Sequence, residues 1–142
     1  MTRVILSVSL LLALCLPHTT AWAGEEDPIE NRIMQFLTKK HQMVEALSGL
    51  SAEYEYYASK RGVTRKDRQC LFGLASDTDY QLSRLHEATD GVTYQDYLAY
   101  REESPEDARV WAQGMLELYD SIIAAMREGV VKSQNECMSF ED

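Results

Sequence analysis

The 142-residue chain reads as an all-α protein, a small bundle of about four helices, three long and one short, stapled by one disulfide. Three observations predict that class. Apolar residues recur at alternating steps of three and four, the spacing that lines one side of an α-helix. No stretch alternates with period two for long enough to make a strand. Start and stop signals such as Asp27-Pro28, Asp90-Gly91 and Ser104-Pro105 separate the periodic runs.

The first helix is expected to open at Asp27-Pro28, where a capping carboxylate precedes a proline whose fixed φ suits the first turn. Its apolar seam follows Ile29, Ile33, Phe36, Met43, Leu47, Leu50, Tyr54 and Tyr57, with Lys40 as the one exception. Gly49 lies off the seam, so the helix should pass through it to about Lys60, with Gly62 as the C-terminal cap. A kink near Ser48-Gly49 is the alternative. Such a helix would be about 45 Å long.

Thr64 with Asp67 three residues on resembles a capping box that opens the second helix. That helix presents Leu71, Leu74, Thr78, Leu82 and Leu85 and should stop at Asp90-Gly91. Thr93 opens a short third helix carrying Tyr94, Tyr97, Leu98 and Tyr100. Ser104-Pro105 starts the fourth, with Glu106 and Asp107 in the first turn, where the helix dipole favours acids. Its seam runs through Trp111, Met115, Leu118, Ile122, Ala125 and Met126.

Residues 1–23 stand apart as a cleavable signal peptide, leaving 24–142 as a single helical domain. Arg3 precedes an apolar run from Val4 to Leu16, Pro17 ends it, and Ala21-Trp22-Ala23 has the small-x-small pattern of a cleavage site before Gly24. The run falls short of the roughly 18 apolar residues a membrane anchor needs. Leu12-Ala13-Leu14-Cys15 is a competing lipidation signal, but bulky Leu14 stands where a small residue is required. The expected location is therefore periplasmic or secreted, with no membrane span after cleavage.

Cleavage changes the cysteine arithmetic. Of three cysteines, Cys15 leaves with the signal, and Cys70 and Cys137 remain as a pair in an oxidising compartment, where a disulfide is expected. Arg3 also leaves, so the mature chain is one unit more negative than the −9 of the whole. A protein so acidic lacks the basic face needed to displace counterions from phosphates, and no nucleic-acid partner is expected.

Catalytic constellations are missing. There is no Glu-x-x-His pair for a di-iron site, no Cys-x-x-Cys-His for covalent haem and no Gly-x-Ser-x-Gly nucleophile elbow. Asp77 and Asp79 begin like a calcium loop, but Leu82 and Ala88 occupy its glycine and glutamate positions. His41 and His86 lie beside the apolar seams and read as half-buried structural residues. No cofactor, metal site or catalytic residue is expected.

Two features rise above background as candidate binding residues. Lys60, Arg61, Arg65, Lys66 and Arg68 make a basic turn in an acidic protein. Arg65 and Lys66 sit at a helix N-terminus, where the dipole disfavours cations. An anionic ligand or partner would offset this, and so would Glu136, Glu141 and Asp142 if the disulfide delivers them. The second feature is tyrosine: Tyr54 and Tyr57 with Tyr56 in one group, and Tyr94, Tyr97 and Tyr100 in another. Tyrosine concentrates at recognition surfaces. The competing reading packs one group on the other to close the bundle.

The function these readings favour is an exported acidic module that binds another protein, as an inhibitor, immunity factor or chaperone. The alternative is a small helical enzyme or anionic-ligand binder using turn 60–68, and self-association is a third role. N-terminal sequencing of the exported protein should begin at Gly24; a chain beginning at Met1 or at a lipidated Cys15 would refute the processing expected here.

Overall fold

A computed structural model of the chain describes residues 27–138. The signal segment, Glu141 and Asp142 lie outside the described residues. Four helices follow in order: α1 Pro28–Ala58, α2 Arg65–Thr89, α3 Tyr94–Glu103 and α4 Pro105–Glu136. Three are long and one short, and no strand occurs among the described residues.

Helix α1 starts as its sequence dictates. The Asp27 carboxylate accepts the Ile29 amide at 3.0 Å, and Pro28 occupies the first turn. The helix runs unbroken through Gly49, so the alternative kink does not form. It ends at Ala58, two residues short of the expected Lys60, with Ser59 as its C-cap. Gly62 lies further along, in the connecting turn, where its φ of 84° is a conformation side chains with a Cβ disfavour. The earlier stop has a cause in α2: Arg68 Nε donates to the Ala58 carbonyl at 3.0 Å and supplies the partner a longer helix would have provided.

Lys40, the break in the α1 seam, has a comparable role. Its ammonium donates to the carbonyls of Thr89, at 2.7 Å, and Val92, closing the C-terminal end of α2. A cation there complements the helix dipole. Gly91 makes the turn that follows, with φ 70°.

The Thr64 hydroxyl accepts the Asp67 amide at 3.1 Å to start α2, and the Asp67 side chain is fully buried. At α3 the box is complete. Thr93 accepts the Asp96 amide at 3.2 Å, while the Asp96 carboxylate accepts the Thr93 amide at 2.8 Å. Those bonds from Thr93 hold the Asp96 carboxyl below its usual range. Ser104 departs from expectation: it caps the end of α3 and the start of α4 together, and its side chain makes no capping hydrogen bond. Pro105 and the acids of the first turn start α4 without it.

The layout follows from a few pairings. Ser51 Oγ donates to the Ala75 carbonyl, and Arg68 reaches Ala58, so α1 and α2 are antiparallel. Cys70 is bonded to Cys137, with Cα atoms 5.4 Å apart, and Arg84 meets Ser121; α4 therefore runs antiparallel to α2 and parallel to α1. The core lies between these three helices, with Ile33, Leu47, Leu71, Leu85 and Ile122 fully buried. Helix α3 packs on the N-terminal ends of α1 and α4. Arg101 pairs with Glu30 at 2.6 Å, and Arg109 pairs with the Asp27 cap.

No helix among the described residues is long and apolar enough to cross a membrane. The disulfide links residues 67 apart in sequence, so on the chain-entropy model it should contribute about 4 kcal/mol. Reduction, or Cys70→Ser with Cys137→Ser, should lower the melting temperature; an unchanged thermal transition would refute a stabilising bridge.

Candidate functional site

At the disulfide end, the last turn of α1, the first turn of α2 and the C-terminus of α4 converge. Lys60, Arg61, Arg65 and Lys66 are exposed there, around Val63, whose side chain plugs the turn with 8% exposure. Arg68 is committed to the Ala58 carbonyl, and the Lys60 ammonium sits 5.0 and 4.7 Å from the Tyr56 and Tyr57 ring centroids. Such a cation–π contact holds a cation by about 0.5–1 kcal/mol at an exposed site.

Among the described residues, the ion pairs join Arg32 to Asp120, Arg101 to Glu30 and Arg109 to Asp27. None draws on the basic turn. Glu136 is delivered to this end by the bridge but forms no ion pair with the turn, so the expected internal neutralisation does not come from it. The other two acids invoked for it lie outside the described residues.

The tyrosines divide differently from either reading made above. Tyr54, Tyr57 and Tyr97 are core residues, with exposures of 3, 6 and 3%. Tyr94 is half-buried, and Tyr100 is exposed at the edge of α3. Nor does one group close on the other. Tyr54 lies against Gly129 on α4, whereas Tyr97 stacks on Trp111 with ring centroids 6.0 Å apart. Those two levels of α4 are about 27 Å apart along the helix. Tyr94 stacks in turn on Tyr97 at 6.0 Å, so the second group docks α3. A three-residue repeat advances 300° per step, which explains why the rings do not share one face.

The histidines also depart from expectation, since both are exposed. Among the described residues, no group of three or more His, Cys, Asp or Glu side chains is arranged to hold a metal ion.

A small cleft opens between α1 and α4, lined by Leu50, Glu53, Tyr54, Val130, Ser133 and Met138. Its free space of about 10 Å³ is close to the room one water needs. Ser133 Oγ donates to the Val130 carbonyl at 2.7 Å, and the Tyr54 phenol faces it. Burial pushes the Tyr54 phenol well above its ordinary pKa, with the Ser133 hydroxyl opposing the shift.

Sequence reasoning missed a different set of residues. Phe72 is 46% exposed and Tyr80 63%, both on α2 and away from its seam. The Arg84 guanidinium lies 6.0 Å from the Tyr80 ring centroid. The signal was available: large aromatics at positions 72 and 80 fall opposite Leu71, Leu74, Thr78 and Leu85 on a helical projection. Comparison with family models, curated proteins and solved structures finds no match.

The shifted phenol yields a signed prediction. Above pH 10 the unfolded chain would ionise Tyr54 while the folded chain keeps it neutral, so stability should fall as pH rises. Tyr54→Phe should flatten that alkaline loss in denaturant titrations at pH 8 to 11. Identical slopes for the two proteins would refute a buried neutral phenol.

Proposed function

We propose that this chain is an exported, disulfide-stapled helical module that binds another protein, in a role such as inhibitor, immunity factor or chaperone. One observation carries the reading. A bundle that seals Tyr54, Tyr57 and Tyr97 into its core leaves Phe72 and Tyr80 in water on a single helix. Leaving an aromatic ring exposed forgoes roughly 1.5–3 kcal/mol of burial, and aromatics with arginine are the residues most enriched at protein interfaces.

Export is supported by the signal pattern of residues 1–23 and by the Cys70–Cys137 bond, which persists in oxidising compartments. The rival reading places a small anionic ligand on turn 60–68. Against it, Arg68 is engaged with a backbone carbonyl, and Lys60 lies over two rings. The remaining cations, Arg61, Arg65 and Lys66, stand exposed on the surface.

A pull-down with tagged mature protein from envelope and secreted fractions should recover a specific polypeptide in stoichiometric amount. Recovery of none would sink the binding-module reading. Light scattering at micromolar concentration, giving a mass above the monomer, would redirect it to self-association.

A further inference from the structure

We infer that the outward face of α2 is the docking surface, and that its occupant is an acidic segment of another protein. The inference rests on the binding-module reading and adds the place and the chemistry of the partner. Arg65, Gln69, Phe72, Ser76, Tyr80 and Ser83 follow one another at steps of three and four, and every one is exposed. They form one stripe about 27 Å long down the solvent side of the helix.

The composition of that stripe sets it apart. The chain carries 23 acidic residues, yet none lies in the row from Arg65 to Ser83. At 100° per residue Asp77 projects to one flank, and Asp79 borders the row on the Phe72 side. Glu87, one step past Ser83, is the first acid on its line. Phe72 and Tyr80 are two turns apart, about 12 Å, so both rings would meet apolar side chains of one partner element. At the N-terminal end of the stripe, Lys60, Arg61, Arg65 and Lys66 form no ion pair among the described residues. Arg65 and Lys66 there oppose the α2 dipole. Carboxylates from a partner would offset both the dipole and the mutual repulsion of the four cations.

Charge complementarity selects this occupant over others. A second copy of the chain and an anionic bilayer would each present a net negative body to a protein at −9 over the whole chain and one unit more negative after cleavage. A local acidic segment meets the cationic N-terminal end of the stripe without bringing its whole charge against the rest of the surface. Contacts of this kind steer encounter and fix register.

The test uses the full chain in its native host, with a photo-activated benzophenone amino acid replacing Tyr80, or replacing Val110 on α4 as a 69% exposed control. Irradiation should give an adduct with one polypeptide from the Tyr80 position and none from Val110. The crosslinked segment, read by mass spectrometry, should be rich in Asp and Glu. Arg65→Glu with Lys66→Glu should reduce the adduct to background while leaving helicity by circular dichroism unchanged.

A basic or neutral segment, a lipid adduct, a mass of twice this chain, or equal adducts from both positions would overturn the inference. So would full retention of a pulled-down partner by the Phe72→Ser, Tyr80→Ser double variant, which would leave the binding-module reading standing. Absence of any adduct together with an empty pull-down would remove both.

Discussion

The apolar face of α1 from Ile33 to Ala58, interrupted on its seam only by Lys40, is the constraint on which the rest of the bundle depends. Ile33, Leu47 and Ala58 are fully buried along it, and α2 and α4 each press a seam against it. Each large aliphatic or aromatic side chain removed from water there contributes roughly 1.5–3 kcal/mol. A helix of 31 residues can present such a face only if nothing interrupts its backbone ladder, which is why Gly49 is tolerated on the outside. Helix α3, with ten residues, buries only Tyr97 fully and holds its place through the Tyr94–Tyr97–Trp111 stack and the Arg101–Glu30 pair.

A second level of organisation lies at the helix ends. The last carbonyls of a helix need donors, and two are supplied here by long cationic side chains from a neighbouring helix. Lys40 of α1 closes α2, and Arg68 of α2 closes α1. The two contacts are reciprocal, and each ties the register of the α1–α2 hairpin to a side chain that would otherwise be counted as surface charge. Beside Arg68, near the start of α2, the Cys70–Cys137 bond ties the register of α4 to α2. The basic turn is thus partly architectural. Subtracting Arg68 and the ring-stacked Lys60 leaves Arg61, Arg65 and Lys66 without an internal use among the described residues.

The division of aromatics bears on function in the same way. Aromatics whose helical position falls on a seam are drawn inside, because burying a ring outweighs keeping its hydroxyl in water. Tyr54, Tyr57 and Tyr97 obey that rule. Phe72 and Tyr80 occupy the opposite side of α2, where no element among the described residues covers them. Tyr56 and Tyr100 are exposed as well, but on two other helices, whereas Phe72 and Tyr80 share one helix.

The sequence by itself determined the helical class, the bounds of α2, the starts of α3 and α4, and the cysteines able to pair. These depend on local periodicity, caps and turn residues, whose physics acts within a few positions of the chain. It also exposed Lys40 as an anomaly without a reason. Only the tertiary structure decided that Lys40 reaches Thr89, that Arg68 ends α1 early, and that the two tyrosine groups sit at separate levels of the bundle. Those outcomes turn on which helix ends meet and in what register, a long-range matter that spacing along one helix does not encode. The candidate surface lies between the two levels: positions 72 and 80 were legible as off-seam, but their exposure depended on which face of α2 the bundle left uncovered.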